Sequence, residues 1–204
     1  MRPHDEPLRE DDLDPDPLVQ FRAWFARAAQ VVRLPEAAAL ATADARGRPS
    51  VRMVLVKAFD DRGFVFHTDY ESRKGVELAA NPHAALLFHW DPLGRQVRLE
   101  GPVERLSPAE SDTYFATRPR GAQIGAHASA QSRPIGSRRE LENKVAEADA
   151  RYRSGPVPRP PSWGGFRLHP EAYEFGQNRD DRLHDRLRYR PEGGGGWRVE
   201  RLQP

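Results

Sequence analysis

The sequence predicts a mainly β protein with helices, an α+β fold built on a β-barrel that carries peripheral helices. Three observations support this prediction. Roughly five to eight short segments are rich in β-branched and aromatic residues and are bounded by turn residues. Only about three or four stretches have helical periodicity. The chain has 204 residues, 38% of them apolar, which suits one core. We therefore expect a flexible arm over residues 1–15 and a single domain over residues 16–204.

The composition excludes several classes of function. The chain has no cysteine, so disulfides, thiolate metal sites and cysteine nucleophiles are excluded. Its histidines are scattered, without the close spacing of a helical metal pair, so we expect no metal site. The formal net charge of +2 gives no general reason to expect a nucleic acid. No apolar run approaches the ~20 residues that span a bilayer. The acidic, proline-rich start is not typical of a signal peptide, and we expect a cytoplasmic protein with no membrane partner.

The first half of the chain begins with a helix and continues mainly as strands. Asp16 followed by Pro17 is typical of an N-cap and a first helical residue, and apolar residues then recur at helical spacing as far as Val32. Asp-Asp-Arg-Gly at 60–63 is typical of a turn between strands, and Ser72 is a typical N-cap. The predicted elements are a helix over 16–32, strands over 37–41, 51–59 and 64–68, a helix over 72–81, and strands over 84–90 and 96–105.

The second half contains two helices and then returns to strands. Ser-Pro-Ala-Glu at 107–110 is a typical helix start. The predicted elements are helices over 107–117 and 138–153 and strands over 165–168, 173–175, 183–189 and 197–202. Residues 118–137 show no period, so we expect a long loop, which in a compact domain is usually functional or disordered. The glycines at 193–196 precede a strand, which indicates a hairpin tip and not a phosphate-binding loop.

One predicted strand carries a row of basic side chains. Under strand alternation Arg182, His184, Arg186 and Arg188 share one face. Neighbouring positive charges repel one another unless an anion or an acidic partner faces them. One interpretation is an anion site with a titratable histidine in it; the other is a solvated outer face.

A second basic group begins a predicted helix. Arg73 and Lys74 follow Thr68 and Ser72, at a helix N-terminus whose free N–H groups attract anions. Two hydroxyls and two cations suit a phosphate, although an ordinary capped surface helix explains them equally well.

Two further groups are weaker. Arg52 and Lys57 lie at the ends of an apolar strand, and strict alternation puts them on opposite faces. Both can therefore contact a ligand only if the strand borders two sites. Tyr114 and Arg118 are four residues apart on one helical face, as many surface pairs are.

The order and spacing of these groups resemble those of the pyridoxamine 5'-phosphate oxidase family over residues 14–204. The matching pieces are RMVLVK at 52–57, HT at 67–68, SRKG at 72–75, RQV at 95–97, YFATRPR at 114–120, QS at 131–132, WGGFR at 163–167, RLHDR at 182–186 and the closing ERLQP. The resemblance implies an FMN-binding split β-barrel and a homodimer with one FMN in each of two clefts between the subunits. It also implies FMN-dependent oxidation of pyridoxine 5'-phosphate or pyridoxamine 5'-phosphate to pyridoxal 5'-phosphate, with O2 as the electron acceptor and H2O2 as a product.

The same resemblance implies the site residues. Those that line FMN would be Arg52, Met53, Val54, Leu55, Val56, Lys57, His67, Thr68, Arg73, Lys74, Gln96, Gln131, Ser132 and Arg186. Lys57, Tyr114 and Arg118 would hold the substrate phosphate. Arg182 and His184 would be the catalytic residues over the substrate, with Arg182 holding and polarising it and His184 positioning it or assisting proton movement. A cleft between subunits would let one strand border two sites, which accounts for Arg52 and Lys57.

Three positions depart from the family pattern. Gly176 stands in Glu-Phe-Gly-Gln where the family usually has tryptophan, Ala122 stands where a serine commonly joins the phosphate site, and the N-terminal segment lacks an Arg-Arg-x-Tyr sequence. Two alternatives therefore stay open. One is an FMN oxidase of the same superfamily that acts on another substrate, of the phenazine-biosynthesis type. The other is a non-catalytic flavin- or pyridoxal-phosphate-binding protein, which would bind its ligand without producing peroxide.

Overall fold

The computed structural model describes residues 7–204 and contains, within them, nine strands and five α-helices. The strands are β1 (Ala37–Ala43), β2 (Pro49–Asp60), β3 (Gly63–Asp69), β4 (His83–Trp90), β5 (Arg95–Arg105), β6 (Trp163–Leu168), β7 (Ala172–Gln177), β8 (Asp185–Glu192) and β9 (Gly196–Leu202). The helices are α1 (Pro17–Ala28), α2 (Arg73–Ala80), α3 (Pro108–Thr117), α4 (Arg120–Ala128) and α5 (Arg138–Arg151). None of the described helices is both long and apolar enough to span a membrane.

Six strands close into a barrel in the order β4-β1-β2-β3-β6-β5, because β5 pairs back with β4. All of these pairings are antiparallel. On the side away from β4, the first half of β5 pairs with β7 and its last three residues pair with β6. Strands β8 and β9 then extend the sheet from β7. The α+β barrel prediction is therefore confirmed: each of the nine strands overlaps a predicted one, and one α-helix, α4, is additional.

Helix α1 supplies the aromatic centre of the core. Phe21 has no exposed surface, and its ring meets those of Phe59 and Phe64 edge-on, each at 4.9 Å between centroids. Trp24 meets Phe175 of β7 in the same way at 5.2 Å. Burying aromatic rings in such edge-to-face pairs stabilises the fold both through the apolar area removed from water and through ring geometry. These contacts attach α1 to the barrel.

The predicted helix starts are confirmed by their caps. Asp16 accepts a hydrogen bond from the N–H of Leu18 at 2.8 Å, and Ser72 accepts one from Gly75. Ser107 and Glu110 form a complete capping box at the start of α3. Helix α1 ends at Ala28 and not at Val32, because the N–H of Gln30 bonds to the carbonyl of Arg27 in a tighter turn. The spacing of apolar residues in the sequence does not show where α-helical hydrogen bonding gives way to a tighter turn.

The long loop predicted over residues 118–137 contains a helix, α4, so that prediction is wrong for residues 120–128. Ile124 and Ala128 of α4 are buried in a small cluster with Ala148 of α5. Ile124 is the only large apolar residue of α4, since alanine, glycine and polar residues occupy its other positions, so the segment carries little helical period. The helix is stabilised by tertiary packing more than by local propensity.

Part of the arm predicted over residues 1–15 makes long-range contacts in the structure. Leu8 is buried, and its N–H donates to Asp185 Oδ2 at 3.1 Å. Arg201 of β9 donates to the carbonyl of Leu8 and to both carboxylate oxygens of Glu10. These long-range hydrogen bonds could not be predicted from the sequence, because the segment is acidic and shows no periodicity. The remainder of the predicted arm, residues 1–6, lies outside the described residues.

Candidate active site

The predicted strand over 183–189 begins later than expected, so its basic row is incomplete. Residues 180–182 form a short 3-10 turn in which Asp181 and Arg182 have φ of 58° and 62°, and β8 begins only at Asp185. Leu183, the first residue of the predicted strand, is 69% exposed. Arg182 and His184 therefore do not share a strand face with Arg186 and Arg188, because alternation requires extended backbone. They lie in the connection before β8, where His184 Nδ1 accepts the N–H of Arg179 at 3.1 Å.

The two arginines that do lie on β8 have acidic partners. Arg186 Nε donates to Glu174 Oε1 at 2.8 Å, and Arg188 pairs with Glu200 at 2.8 Å. Glu174 is only 3% exposed and also pairs with Arg98 of β5. Carboxylates from β7 and β9 thus relieve the repulsion that the sequence indicated on this face.

The start of α2 forms a compact polar cluster. Lys74 Nζ donates to Thr68 Oγ1 at 3.0 Å, to Ser72 Oγ at 3.3 Å and to Gln131 Oε1 at 2.7 Å. Burial, and then the positive charge of Arg52, lower the pKa of Lys74 to about 8. We call Thr68, Ser72, Lys74 and Gln131 the α2 cluster. Its hydroxyls, amide and cation lie at a helix N-terminus, which is the donor set that a phosphate requires.

Two positions shape the backbone around this cluster. A Cβ on Gly75 would lie 2.2 Å from the carbonyl oxygen of Tyr70, so only glycine lets the helix start pack this closely on the preceding turn. Ser132, which follows Gln131, has a φ of 71°. The turn at 131–132 thereby brings a residue 57 positions along the chain to the ammonium of Lys74.

Arg52 and Arg73 meet at one buried carboxylate, Glu77, which the sequence analysis missed. Arg73 Nε donates to Glu77 Oε1 at 2.8 Å, and Arg52 Nη2 lies 3.2 Å from Oε2. Oε2 also accepts from Ser50 at 2.6 Å and from Thr42 at 2.5 Å. Burial alone raises the pKa of Glu77, but these hydrogen bonds outweigh it and lower the pKa to about 2. The i,i+4 spacing of Arg73 and Glu77 was the available signal.

Arg52 and Lys57 serve different regions, because burial alternates along β2 from residue 51 to residue 57 and puts them on opposite faces, as the sequence predicts. The register of β2 against β3 shifts only between Val56 and Ala58, so a bulge follows this stretch. Arg52 points to Glu77, whereas Lys57 lines a cavity of about 490 Å³ between β2, β3 and α3. His67 and Tyr114 line the same cavity.

The cavity region holds cationic and polar atoms without partners. Within residues 7–204, His67 Nδ1 and Nε2 and Arg118 Nη1 are buried and have no hydrogen-bond partner. Burial, followed by the positive charges of Arg118 and Lys57, lowers the pKa of His67 to about 4. Burial also lowers the pKa of Arg118. Buried donors without partners are costly, and an anionic group bound between Lys57 and Arg118 would offset that cost.

The remaining candidate residues lie elsewhere on the sheet. Gln96 of β5 and Arg186 of β8 are both register partners of Gly176 on β7. A Cβ on Gly176 would lie 2.9 Å from Gln96 Cγ, so the Gln96 side chain occupies the space beside the glycine. One chain thus brings together Lys57, His67, Tyr114 and Arg118 around the cavity and groups Arg52, Thr68, Arg73, Lys74 and Gln131 near α2, while Gln96, Arg182, His184 and Arg186 lie on or beside the β5-β7-β8 extension.

The outer face of β2 carries an exposed apolar row. Val51, Met53 and Leu55 are 68%, 65% and 40% exposed, whereas Val54 and Val56 point inward. Large side chains exposed in a row mark an interaction surface. A second subunit on this face would cover the row.

The closed six-stranded barrel with its added strands and helices is the fold of the FMN-binding split barrels. The comparisons with known proteins carry the assignment further. Residues 26–152 match the family model described as pyridoxamine 5'-phosphate oxidase, and residues 163–204 match the pyridoxine 5'-phosphate oxidase C-terminal dimerisation region. The chain therefore belongs to the pyridoxamine 5'-phosphate oxidase family.

Similar proteins cover nearly the whole chain. A Rubrobacter xylanophilus protein named pyridoxine/pyridoxamine 5'-phosphate oxidase is 58% identical over 97% of this chain and 91% of its own length. A protein of the same name from Paraburkholderia phymatum is 59% identical over 95% of this chain and 91% of its own. Among solved structures, PhzG from Burkholderia lata, in complex with tetrahydrophenazine-1-carboxylic acid, is 36% identical with a TM-score of 0.90, covering 98% of this chain and all of PhzG.

Proposed function

We propose that this protein is an FMN-dependent oxidase that converts pyridoxine 5'-phosphate and pyridoxamine 5'-phosphate to pyridoxal 5'-phosphate, with O2 as the electron acceptor and H2O2 as a product. With pyridoxamine 5'-phosphate, water is also consumed and ammonia is released. The observation that carries the proposal is the cavity lined by Lys57 and Tyr114, beside which Arg118 Nη1 is buried without a partner. These are the three residues expected to hold the substrate phosphate. Relatives at 55–59% identity that bear this enzyme's name support the same function.

The described residues fit FMN. The α2 cluster, with the 63%-exposed Arg73 beside it, offers hydroxyl, amide and cationic groups to the FMN phosphate. The apolar residues Met53 and Leu55 offer surface to the flavin ring. When bound, FMN supplies the redox chemistry, accepting two electrons from the substrate and passing them to O2. The protein's own part is to bind, orient and desolvate the two reactants.

The substrate phosphate is bound between Lys57 and Arg118, with the hydroxyl of Tyr114 as a third contact. Lysine serves as a compact point charge and arginine as a planar donor fork, so the two together hold a phosphate in one orientation. His67, whose pKa is about 4, stays neutral near pH 7 and adds no charge to the pocket. Held through its phosphate by these residues, the substrate would have one orientation in which bound FMN could oxidise it.

The reacting face requires a second subunit. Arg182 and His184 lie before β8, in the region that matches the dimerisation model, while the cavity lies between β2, β3 and α3. In a homodimer formed through the exposed β2 row, Arg182 and His184 of one protomer complete the site of the other. Arg182 then holds and polarises the substrate, and His184 positions it or assists proton movement.

The direct test is turnover by the purified protein. We expect a yellow protein whose FMN is released on denaturation, and equimolar formation of pyridoxal 5'-phosphate and H2O2 from either phosphorylated substrate. The matched control is the Lys57→Ala/Arg118→Ala double variant, which should retain FMN and lose turnover at low substrate. Wild-type protein that binds FMN and pyridoxal 5'-phosphate but makes no peroxide would establish a non-catalytic binding protein instead.

A second candidate substrate class follows from one neighbour and one residue. PhzG superposes over nearly the whole chain, and its structure contains a tricyclic acid. Gly176 stands where the family usually has tryptophan, and the Gln96 side chain, which is flexible, is what fills the space beside it. If reduced phenazine carboxylic acids bleach the flavin faster than pyridoxine 5'-phosphate does, this second assignment replaces the first.

A further inference from the structure

Trp163, the first residue of β6, lies under the residues that are proposed to hold the substrate phosphate. Its side chain is 7% exposed. The indole lies nearly parallel to the rings of His67 and Tyr114, with centroid distances of 5.3 and 6.2 Å and interplanar angles of 11° and 8°. The guanidinium carbon of Arg118 lies 4.5 Å from the centre of the indole. One buried ring thus contacts both Tyr114 and Arg118.

We propose that Trp163 is a positioning residue for the substrate phosphate: its indole holds the guanidinium of Arg118 and, together with His67, the ring of Tyr114 in the arrangement that binds the phosphate ester. This inference rests on the function proposed above and assigns a role to a residue that does not itself contact the substrate.

The backbone alone does not hold Arg118. It is the C-cap of α3, with φ −70° and ψ 144°, so it has already left the helix. Its side chain is held by the faces of Trp163 and Phe115, at 4.5 and 5.5 Å, and Nη1 has no hydrogen-bond partner. An aromatic face attracts a guanidinium without neutralising it, unlike a carboxylate. Arg118 therefore keeps its full charge for a phosphate dianion.

Tyr114 is held by ring stacking. Its ring lies 3.9 Å from that of His67 at an interplanar angle of 18°. The low pKa of His67 keeps the imidazole uncharged, so the stack places no additional cation between Lys57 and Arg118. With His67 and Trp163 fixed on the paired strands β3 and β6, the phenol has a rigid support.

Trp163 is itself firmly placed. Its N–H donates to the carbonyl of Pro160 at 3.0 Å, and its carbonyl accepts Arg159 Nη1 at 2.5 Å. Its backbone pairs in register with Asp69 of β3, and Phe115 packs edge-on against the indole at 5.1 Å. A rigid ring that contacts both side chains limits their freedom before binding and so reduces the entropy lost when they bind a ligand.

The test compares the FMN-loaded Trp163→Leu variant with wild type. We expect roughly 3- to 30-fold weaker binding of pyridoxal 5'-phosphate and a matching rise in KM for pyridoxine 5'-phosphate, the range expected for a lost cation–π contact. The affinity for pyridoxal, which lacks the phosphate, and the affinity for FMN should stay within about twofold. Trp163→Phe keeps an aromatic face and should recover most of the loss.

Trp24→Leu is the matched control, because Trp24 is also buried and also carries an arginine, Arg95, at 4.4 Å over its ring, but packs against Phe175 in the core. It should lower stability without any loss that is specific to the phosphate. In an Arg118→Ala background, replacement of Trp163 should weaken pyridoxal 5'-phosphate binding much less than in wild type.

Three results would overturn the inference: phosphate-ester binding unchanged in Trp163→Leu, equal losses for pyridoxal and its phosphate, or full additivity with Arg118→Ala. If Trp163→Leu does not fold, Trp163→Phe is compared with wild type in the same way. A phenyl ring attracts a cation less than indole does, so we expect a smaller loss of affinity for pyridoxal 5'-phosphate, and this loss should again depend on Arg118. Failure of the proposed function differs from all of these, because the wild-type protein would then not turn over the phosphate esters.

Discussion

Replacing Glu77 with glutamine removes a buried negative charge and keeps the shape of the side chain. The carboxylate is 5% exposed and accepts hydrogen bonds from Ser50, Thr42, Arg52 and Arg73. These bonds lower its pKa from 4.5 to about 2 despite burial, which acts in the opposite direction. We expect Glu77→Gln to destabilise the protein strongly near pH 7, because Arg52 loses its ionic partner.

The size and the pH dependence of the effect follow from the pKa. A pKa difference of one unit corresponds to about 1.4 kcal/mol, so lowering the pKa from 4.5 to about 2 corresponds to about 3 kcal/mol of stability. Because the folded-state pKa lies below the ordinary value, this stabilisation is complete well above pH 4.5 and is lost as the pH falls toward 2. The difference in unfolding free energy between wild type and Glu77→Gln should therefore be about 3 kcal/mol at pH 7 and roughly 1.5 kcal/mol at pH 3.

The assay is urea unfolding followed by tryptophan fluorescence, at one protein concentration and without added FMN, so that neither mass action nor ligand binding enters the comparison. Glu71→Gln is the control, since its carboxylate is 64% exposed and pairs with Arg133 at the surface, and its effect should stay below about 1 kcal/mol. A difference for Glu77→Gln that is independent of pH, or that is below 1 kcal/mol at pH 7, would refute the reasoning.

Three further predictions concern function and assembly. Lys57→Ala and Arg118→Ala each remove a charge-assisted phosphate contact of about 1.5–3 kcal/mol, so pyridoxal 5'-phosphate should bind roughly 10- to 150-fold more weakly with FMN retained; a double variant that titrates like wild type contradicts this. Arg182→Leu should slow anaerobic flavin reduction by pyridoxine 5'-phosphate in a stopped-flow experiment as well as weaken binding, whereas His184→Asn should have a smaller effect if the role of His184 is positional. Wild-type rates in both variants would remove this pair from the active site. Met53→Asp places a charge in the exposed apolar row and should convert the dimer to a monomer, which light scattering would detect. A variant that is still a dimer at micromolar concentration would place the interface elsewhere.

The local features of the fold were predictable because their causes are local. Asp16, Ser72 and Ser107 cap helices as expected, since a side-chain oxygen two or three residues from a free N–H needs no tertiary context. The strands of the barrel follow from β-branched and aromatic segments between turns, and their ends lie within two residues of the predicted ones. Helix α4 was missed for the complementary reason, since its stability comes from the contact of Ile124 and Ala128 with α5.

The identity of the candidate site residues came from motif order, but their arrangement did not. Periodicity placed Arg182 and His184 on a strand, and the left-handed backbone at Asp181 and Arg182 removes them from it. Strict alternation put Arg52 and Lys57 on opposite faces, and the structure agrees, but only the tertiary contacts show that one reaches Glu77 and the other the cavity. A single residue of irregular backbone is enough to change which side chains share a face, and no sequence period records it.

What the sequence by itself determined is the class of fold, the helix starts and the family to which the chain belongs, because these depend on short-range patterns and on the order of motifs. Tertiary structure alone decided which groups are charged, paired or unpartnered. Glu77 and Trp163 are ordinary residues in the sequence, yet one gathers two arginines and the other lies under Tyr114 and Arg118. The physical reason is that burial and electrostatic pairing depend on distances across the barrel, between residues such as Arg52 and Glu77 or Lys74 and Gln131 that lie 25 and 57 positions apart in the chain.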